Sequence, residues 1–213
     1  MNIENIKPRF KKPKQLRSKM TVDAIIEASA IIISKEGLSG FNTNKIAKIA
    51  GVSIASLYQY FPNKESIFMA LVEEYFNEKF RILKESISEG LINHTSIEEI
   101  INKTIDALFI YETKYPKLNQ ILSEEAKSLG ISELIQKTEE TFILEIVEFI
   151  CLSNKSLNQK NIQKKFIIIV SAIKGINKSI FEDQNNLIEE LEDFKAETTL
   201  FIKNYLGDNF LEA

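Results

Sequence analysis

Beginning at Thr21 and continuing to Leu206, apolar residues recur at three- and four-residue spacing. That period suits helices buried along one face, not strands, whose side chains alternate with a period of two. The 213 residues include only 7 glycines and 4 prolines. These are too few for the turns of a sandwich or barrel, so an all-α chain is expected. The length allows one large domain or two small ones around a real core. Cys151 is the only cysteine, which excludes an internal disulfide framework and a cysteine-cluster zinc site. Apolar runs such as 30–33 and 166–170 fall far short of the ~20 residues that cross a bilayer. The first twenty residues are basic and lack the apolar stretch of a secretory signal. The expectation is a cytoplasmic protein with no membrane association.

Charge is unevenly distributed. Residues 1–20 hold seven basic side chains against one acid, Glu4, whereas residues 66–213 hold 25 acids against 16 bases. Residues 21–65 balance. A basic arm on an acidic chain suits a polyanionic partner at one end, or a solubilising tail. Pro8 and Pro13 argue against a helix within it.

Punctuation divides the rest into about nine helices. Val22, Ile25, Ile26, Ser29, Ile32 and Ile33 share a face that Gly37 ends. Thr43 suits an N-cap for a short helix with Ile46, Ala47 and Ala50 inward. Gly51-Val52-Ser53 makes a turn, and Ser53 can cap a third helix that buries Leu57 and Phe61. Pro62 breaks that helix and Asn63 can cap a long fourth one, from Lys64 to about Ser88, stopped by Gly90. This helix carries two apolar stripes (Ile67, Leu71, Tyr75 and Phe68, Val72, Phe76, Phe80), so it is expected to connect two packed units. Five more helices follow. The first opens on the capping box Ser96-x-x-Glu99. The second starts at Pro116 and ends near Gly130. The others run 131–151, 161–181 and 186–206, the last stopped by Gly207. The chain therefore reads as a flexible arm (1–20), a three-helix head (21–63), a linking helix (64–89) and a helical bundle (90–213).

Two short helices around a Gly51-Val52 turn form a helix-turn-helix, in which the second helix enters a DNA major groove and the first braces it. More specific is the run Arg17-x-x-x-x-Val22-Asp23-Ala24-Ile25-Ile26-Glu27-Ala28. It continues with Gly37, Thr43, Ile46-Ala47-x-x-Ala50-Gly51-Val52-Ser53 and Leu57-Tyr58-Gln59-Tyr60-Phe61-Pro62-Asn63-Lys64-Glu65. Over about residues 17–72 this resembles the DNA-binding domain of TetR/AcrR-family transcriptional regulators. The resemblance implies a homodimeric repressor that binds a palindromic double-stranded operator and releases it when a small hydrophobic or amphipathic effector enters the C-terminal domain. It implies no cofactor and no metal.

The resemblance also assigns DNA contacts. Thr43 meets phosphate at a helix start. Ile54, Ala55 and Ser56 take base-edge positions, with only Ser56 able to hydrogen-bond. Tyr58, Gln59 and Tyr60 lie farther along the groove, Gln59 being suited to adenine. Lys64 clamps a phosphate, and Arg17 and Ser53 complete the set. Tyr58 and Tyr60 have a core aromatic role as the rival reading. Thr43 and Ser53 can equally be helix caps.

In the bundle, Phe166, Val170, Ile173, Asn177 and Ile180 form a stripe beside small Ser171, Ala172 and Gly175. The last helix offers Leu187, Leu191, Phe194, Leu200, Phe201 and Tyr205. By resemblance these helices pair with a two-fold mate; the alternative is the chain's own core. Polar residues on apolar stripes point to a ligand pocket: Thr104, Glu125, Thr138 and Asn177, with Phe109, Tyr111, Phe142 and Phe149 as walls. A buried Glu125 would favour a cationic amphiphile. His94 is expected on the surface and Cys151 as a small core residue. The chain has no Glu-x-x-His pair, nucleophile elbow or phosphate loop, which argues against an enzyme. A DNA-binding regulator or activator that senses no ligand is the other alternative.

Overall fold

The computed structural model describes residues 16–125, 127, 130–182, 191–207 and 210. Among them are nine α-helices, one 3₁₀ turn and no strand. They are α1 (Leu16–Glu36), α2 (Thr43–Ile49), α3 (Ile54–Tyr60), α4 (Lys64–Ile92), α5 (Ile97–Lys114), α6 (Pro116–Glu125), α7 (Ser132–Ser153), α8 (Gln159–Glu182) and α9 (Leu191–Leu206). No described helix is long and apolar enough to cross a membrane.

The head is α1–α3 closed over the start of α4. Ile25, Ile32, Ile33, Ile46, Leu57, Phe61 and Ile67 are each no more than 1% exposed. This head core does not stop at the head. It continues through Tyr75 of α4 into Tyr111, Leu118, Leu122 and Ile131 of the bundle. A second core, around Phe80, Leu83, Phe109, Ile146 and Val147, holds α4, α5, α7, α8 and α9 together. Phe76 packs against both cores, so α4 gives its first half, from both stripes, to the head core and its residues from Phe80 onward to the second.

Several boundaries differ from the sequence reading, each for a local reason. The helix α1 begins at Leu16 rather than Thr21, so residues 16–20, read as part of the arm, are helical. The cap of α2 is Asn42, whose side chain accepts from Lys45 N at 2.9 Å; Thr43 is the first helical residue. Gly90 does not end α4. The helix runs on to Ile92, and His94, with φ 53°, supplies the left-handed residue. Gly90 is instead a point of close approach, where a Cβ would collide with the Ile100 side chain. Only half of the Ser96 box forms: Ser96 accepts from Glu99 N, while the Glu99 carboxylate pairs with Lys103 at 2.8 Å. A complete capping box occurs at Asn63 and Ser66. Asn158, not Asn161, sets the start of α8, its side chain accepting from Asn161 N at 3.1 Å. The expected α9 start at Asn186 lies outside the described residues, as do residues 1–15 of the arm.

Candidate nucleic-acid interface and internal cavity

The turn between α2 and α3 is tight because Gly51 takes φ 68°, a left-handed conformation that only glycine adopts without strain. Val52 N then donates to Ala47 O at 3.0 Å, folding α3 back across α2. Ile46, Ala47 and Leu57 lock the pair from beneath. Ser53 caps α3, accepting from Ser56 N at 3.0 Å, and the two serine hydroxyls lie 2.8 Å apart.

With Leu57 fastened inward, α3 turns Ile54, Ala55, Tyr58 and Gln59 outward. Tyr58 is 49% and Ile54 38% exposed. Ser56 and Tyr60 are half-buried, and Tyr60 leans on the head core. Thr43 and Tyr58 join hydroxyls at 3.2 Å, so the start of α2 and the middle of α3 share one polar spot. Lys64 is exposed at the first position of α4, and Arg17 is exposed in the first turn of α1. The α3 segment carries no charged side chain. The nearest cations are on other elements. Lys45 is tied to Glu36, but Asn44 and Lys48, one turn apart on α2, are exposed. Neither belongs to the set picked out by the sequence. Their i, i+4 spacing opposite Ile46 and Ala47 is the signal that marks them.

A cavity of about 590 Å³ lies between α4, α5, α6, α7 and α8. Its walls are largely apolar, with the Phe80 and Phe142 rings stacked at 4.6 Å. One end is polar and buried. The Tyr75 hydroxyl points at Glu112 Oε2 (3.0 Å) and at the Asn119 amide oxygen, Asn119 donates to the Glu112 backbone carbonyl, and Lys79 pairs with Glu112 Oε1. Burial, reinforced by the Glu112 carboxylate, pushes the Tyr75 phenol well above its ordinary pKa, so it stays a neutral donor. Lys174 and Glu139 pair at 2.9 Å elsewhere on the lining.

Of the sequence-derived pocket residues, Phe142 lines this cavity. Phe109 is buried in the second core. Tyr111 donates to the Tyr75 carbonyl at 2.9 Å and faces a smaller cleft of about 280 Å³. The Thr104 hydroxyl meets that of Ser86 at 3.2 Å, and Thr138 donates to its own helix at Leu134 O. Phe149 is half-buried on α7. The side chains of Glu125 and Asn177 lie outside the described residues. His94 is exposed, and Cys151 packs partly against the second core. Sequence reading missed Tyr75, Lys79, Glu112 and Asn119 as one cluster. The spacing Tyr75-x-x-x-Lys79, and Glu112 continuing the Ile105–Leu108 stripe, were its local traces.

The smaller cleft separates α1 from α4, α5 and α6 and holds Asp23, Glu27, Glu74 and Glu78, with Lys114. Burial, then the neighbouring Asp23 and Glu78, raises the Glu74 pKa. On the bundle, Phe166, Val170, Ile173, Leu191, Phe194 and Tyr205 pack against the chain's own second core. This is the intramolecular reading for that part of the stripes, while Ile167, Ile168, Leu200 and Phe201 are 39–51% exposed.

Comparison with known proteins agrees with this architecture. Residues 25–71 match the sequence model of bacterial regulatory proteins of the tetR family. The nucleoid occlusion factor SlmA of Haemophilus influenzae (strain PittGG) is 26% identical over 144 residues, 66% of this chain and 64% of that protein. The fatty acid metabolism regulator protein of Bacillus subtilis (strain 168) is 31% identical over 98 residues, 46% of this chain and 47% of that protein. The chain thus spans less than two thirds of the length of these relatives. Among solved structures, the Bacillus subtilis transcriptional regulator FadR in complex with stearoyl-CoA superposes with a TM-score of 0.56 at 20% identity, over 87% of this chain and 98% of that one. By name these are a nucleoid occlusion factor, a fatty acid metabolism regulator and a transcriptional regulator. The helix-turn-helix head at residues 25–71 is thus similar to that of the tetR family of bacterial regulatory proteins, and the whole chain shares the fold of such regulators.

Proposed function

We propose that the protein is a ligand-responsive transcriptional repressor that holds a palindromic operator as a two-fold dimer. The observation that carries this is the outward face of α3. Leu57 and Phe61 are fully buried while Ile54, Ala55, Tyr58 and Gln59 stand free on a helix narrow enough for the major groove. Gln59 supplies adenine readout, Ile54 and Ala55 apolar contact with thymine methyls, and the linked Thr43–Tyr58 hydroxyls a phosphate contact. A dimer would set two copies of α3 about one DNA turn, ~34–36 Å, apart. Exposed Ile167, Ile168, Leu200 and Phe201 are the apolar surface available for it.

An effector acts only through its preference for one head arrangement over another. The cavity is within the size range of small-molecule sites and is walled partly by α4, which also enters the head core. A tilt of α4 on filling would move the heads off the DNA register. The FadR neighbour, solved with stearoyl-CoA, supports a fold of this kind holding a ligand. A DNA binder without ligand control is the second reading, favoured by the relative named as a nucleoid occlusion factor.

The test is a gel shift on the DNA flanking the protein's own gene. Gln59→Ala should weaken specific binding about tenfold or more, at 1–3 kcal/mol per good base contact, whereas Tyr58→Ala should weaken binding to operator and unrelated DNA alike, with the fold kept in both. Undiminished binding by both variants overturns the assignment of α3.

A further inference from the structure

We propose that the cavity receives an uncharged, mostly apolar molecule bearing a hydrogen-bond acceptor, such as an ester or ketone, and holds that acceptor on the Lys79 ammonium. This rests on the effector-responsive reading above and goes further by naming the chemical class.

Among the described residues, Lys79, Glu112, Lys174 and Glu139 are the lining's ionisable acids and bases, two of each sign. They form two ion pairs, Lys79 with Glu112 and Lys174 with Glu139. An anion approaching Lys79 therefore also approaches the Glu112 carboxylate, and a cation approaching Glu112 also meets the ammonium. Either would lose its hydration to reach a neutral pair, and such desolvation is repaid only by an uncompensated opposite charge. An uncharged ligand breaks neither pair.

The polar end then selects for an acceptor. Glu112 is 4% exposed, with Oε1 taken by Lys79 and Oε2 facing the Tyr75 hydroxyl. Asn119 is held by Tyr75 and by the Glu112 backbone. The Gln136 amide donates to Glu140 at 2.8 Å. A lysine ammonium carries three N–H donors, and the bond to Glu112 uses one. Its side chain is 14% exposed and lines the cavity, the ammonium lying 5.9 Å from the centre of the Phe76 ring. The inner end of the cavity thus offers a donor inside an apolar wall.

The test titrates the full chain by calorimetry with methyl decanoate, decanoate and decylammonium, three probes sharing one chain length. Methyl decanoate should bind at least tenfold tighter than either ion. Lys79→Met alone would strand a buried carboxylate, so the variant is the double Lys79→Met/Glu112→Gln, its folding checked by thermal melting. In it the ester should lose at least tenfold. The inference is overturned if decanoate or decylammonium matches the ester, if no probe binds, or if the ester keeps its affinity in the folded double variant. DNA binding measured on the same wild-type preparation separates the two readings. Retained DNA binding with any of these results leaves the DNA-binding reading standing, whereas absent DNA binding overturns that reading itself.

Discussion

At Gly90 a hydrogen atom occupies the space from which any side chain would press on Ile100, letting α4 and α5 approach closely. Gly90→Ala should cost roughly 1–2 kcal/mol, overpacking outweighing alanine's better helix propensity. Ile100→Ala in the same chain should recover part of that loss, and a double-mutant cycle in urea would show the coupling. Glu74 gives a second prediction at this scale. Its pKa lies above 4.5 in the folded chain because of burial, Asp23 and Glu78. The folded state therefore disfavours the carboxylate. Whatever stability the protonated acid provides is full below pH 4.5 and lost as pH rises through the higher folded value. Glu74→Gln should raise the melting temperature at pH 7, by about 1–2 °C given its partial exposure, and the gain should vanish at pH 4. Residues this small in effect were only partly legible. Asn42 and Thr43 are adjacent cap formers, and sequence alone did not reveal which side chain would accept from the third helical amide. Tyr75, Glu112 and Asn119 are brought together from positions 37 and 44 residues apart, a meeting that no local pattern encodes.

The linking helix α4 is the element on which both sites depend. Its 29 residues start with a reciprocal box between Asn63 and Ser66, contribute Phe68 and Leu71 to the head core, and then turn Lys79 and Phe80 to the cavity. The two stripes made this helix legible in the sequence, but the cores divide it along its length: Ile67, Phe68, Leu71, Val72 and Tyr75, from both stripes, enter the head core, and Phe80 the second. Its end was not legible, because Gly90 marks a stop and a close contact alike, and only the position of Ile100 distinguishes them. Asn63→Ala should cost about 1 kcal/mol, or about 2–4 °C in melting temperature for a chain of this size. Asn63→Ser, which retains an acceptor, should cost much less. Equal losses for both would mean that Asn63 acts through something other than its cap. Two further short links tie the head to the bundle from the α6 side. Lys117 donates to Lys35 O at the end of α1 at 2.9 Å, and Leu118 is fully buried against the head core. Asn119, the next residue, belongs to the cavity cluster, so adjacent residues of α6 serve the head core and the cavity.

Across the whole molecule, positive charge and the α3 face proposed to read the groove are carried by different parts of the chain. The recognition segment Ile54–Tyr60 has no charged residue, while Lys7, Arg9, Lys11, Lys12 and Lys14 crowd the first fifteen positions. Shape and hydrogen bonds at α3 can discriminate sequence, but attraction to the DNA backbone must come from cations elsewhere. Each phosphate neutralised contributes about −0.9 to the log–log dependence of affinity on salt. Removing residues 1–15 leaves the described helix α1, Leu16–Glu36, intact, and the truncated chain should melt as the full one does. Its salt slope on operator DNA should be shallower by about 2–4 units per chain. Its preference for operator over unrelated DNA at fixed salt should change little, because the residues that read bases are retained. Fluorescence anisotropy across a salt series measures both quantities. An unchanged slope would place the phosphate contacts on Arg17, Lys48 and Lys64 instead, whereas a collapse of sequence preference would mean that the arm itself reads the minor groove.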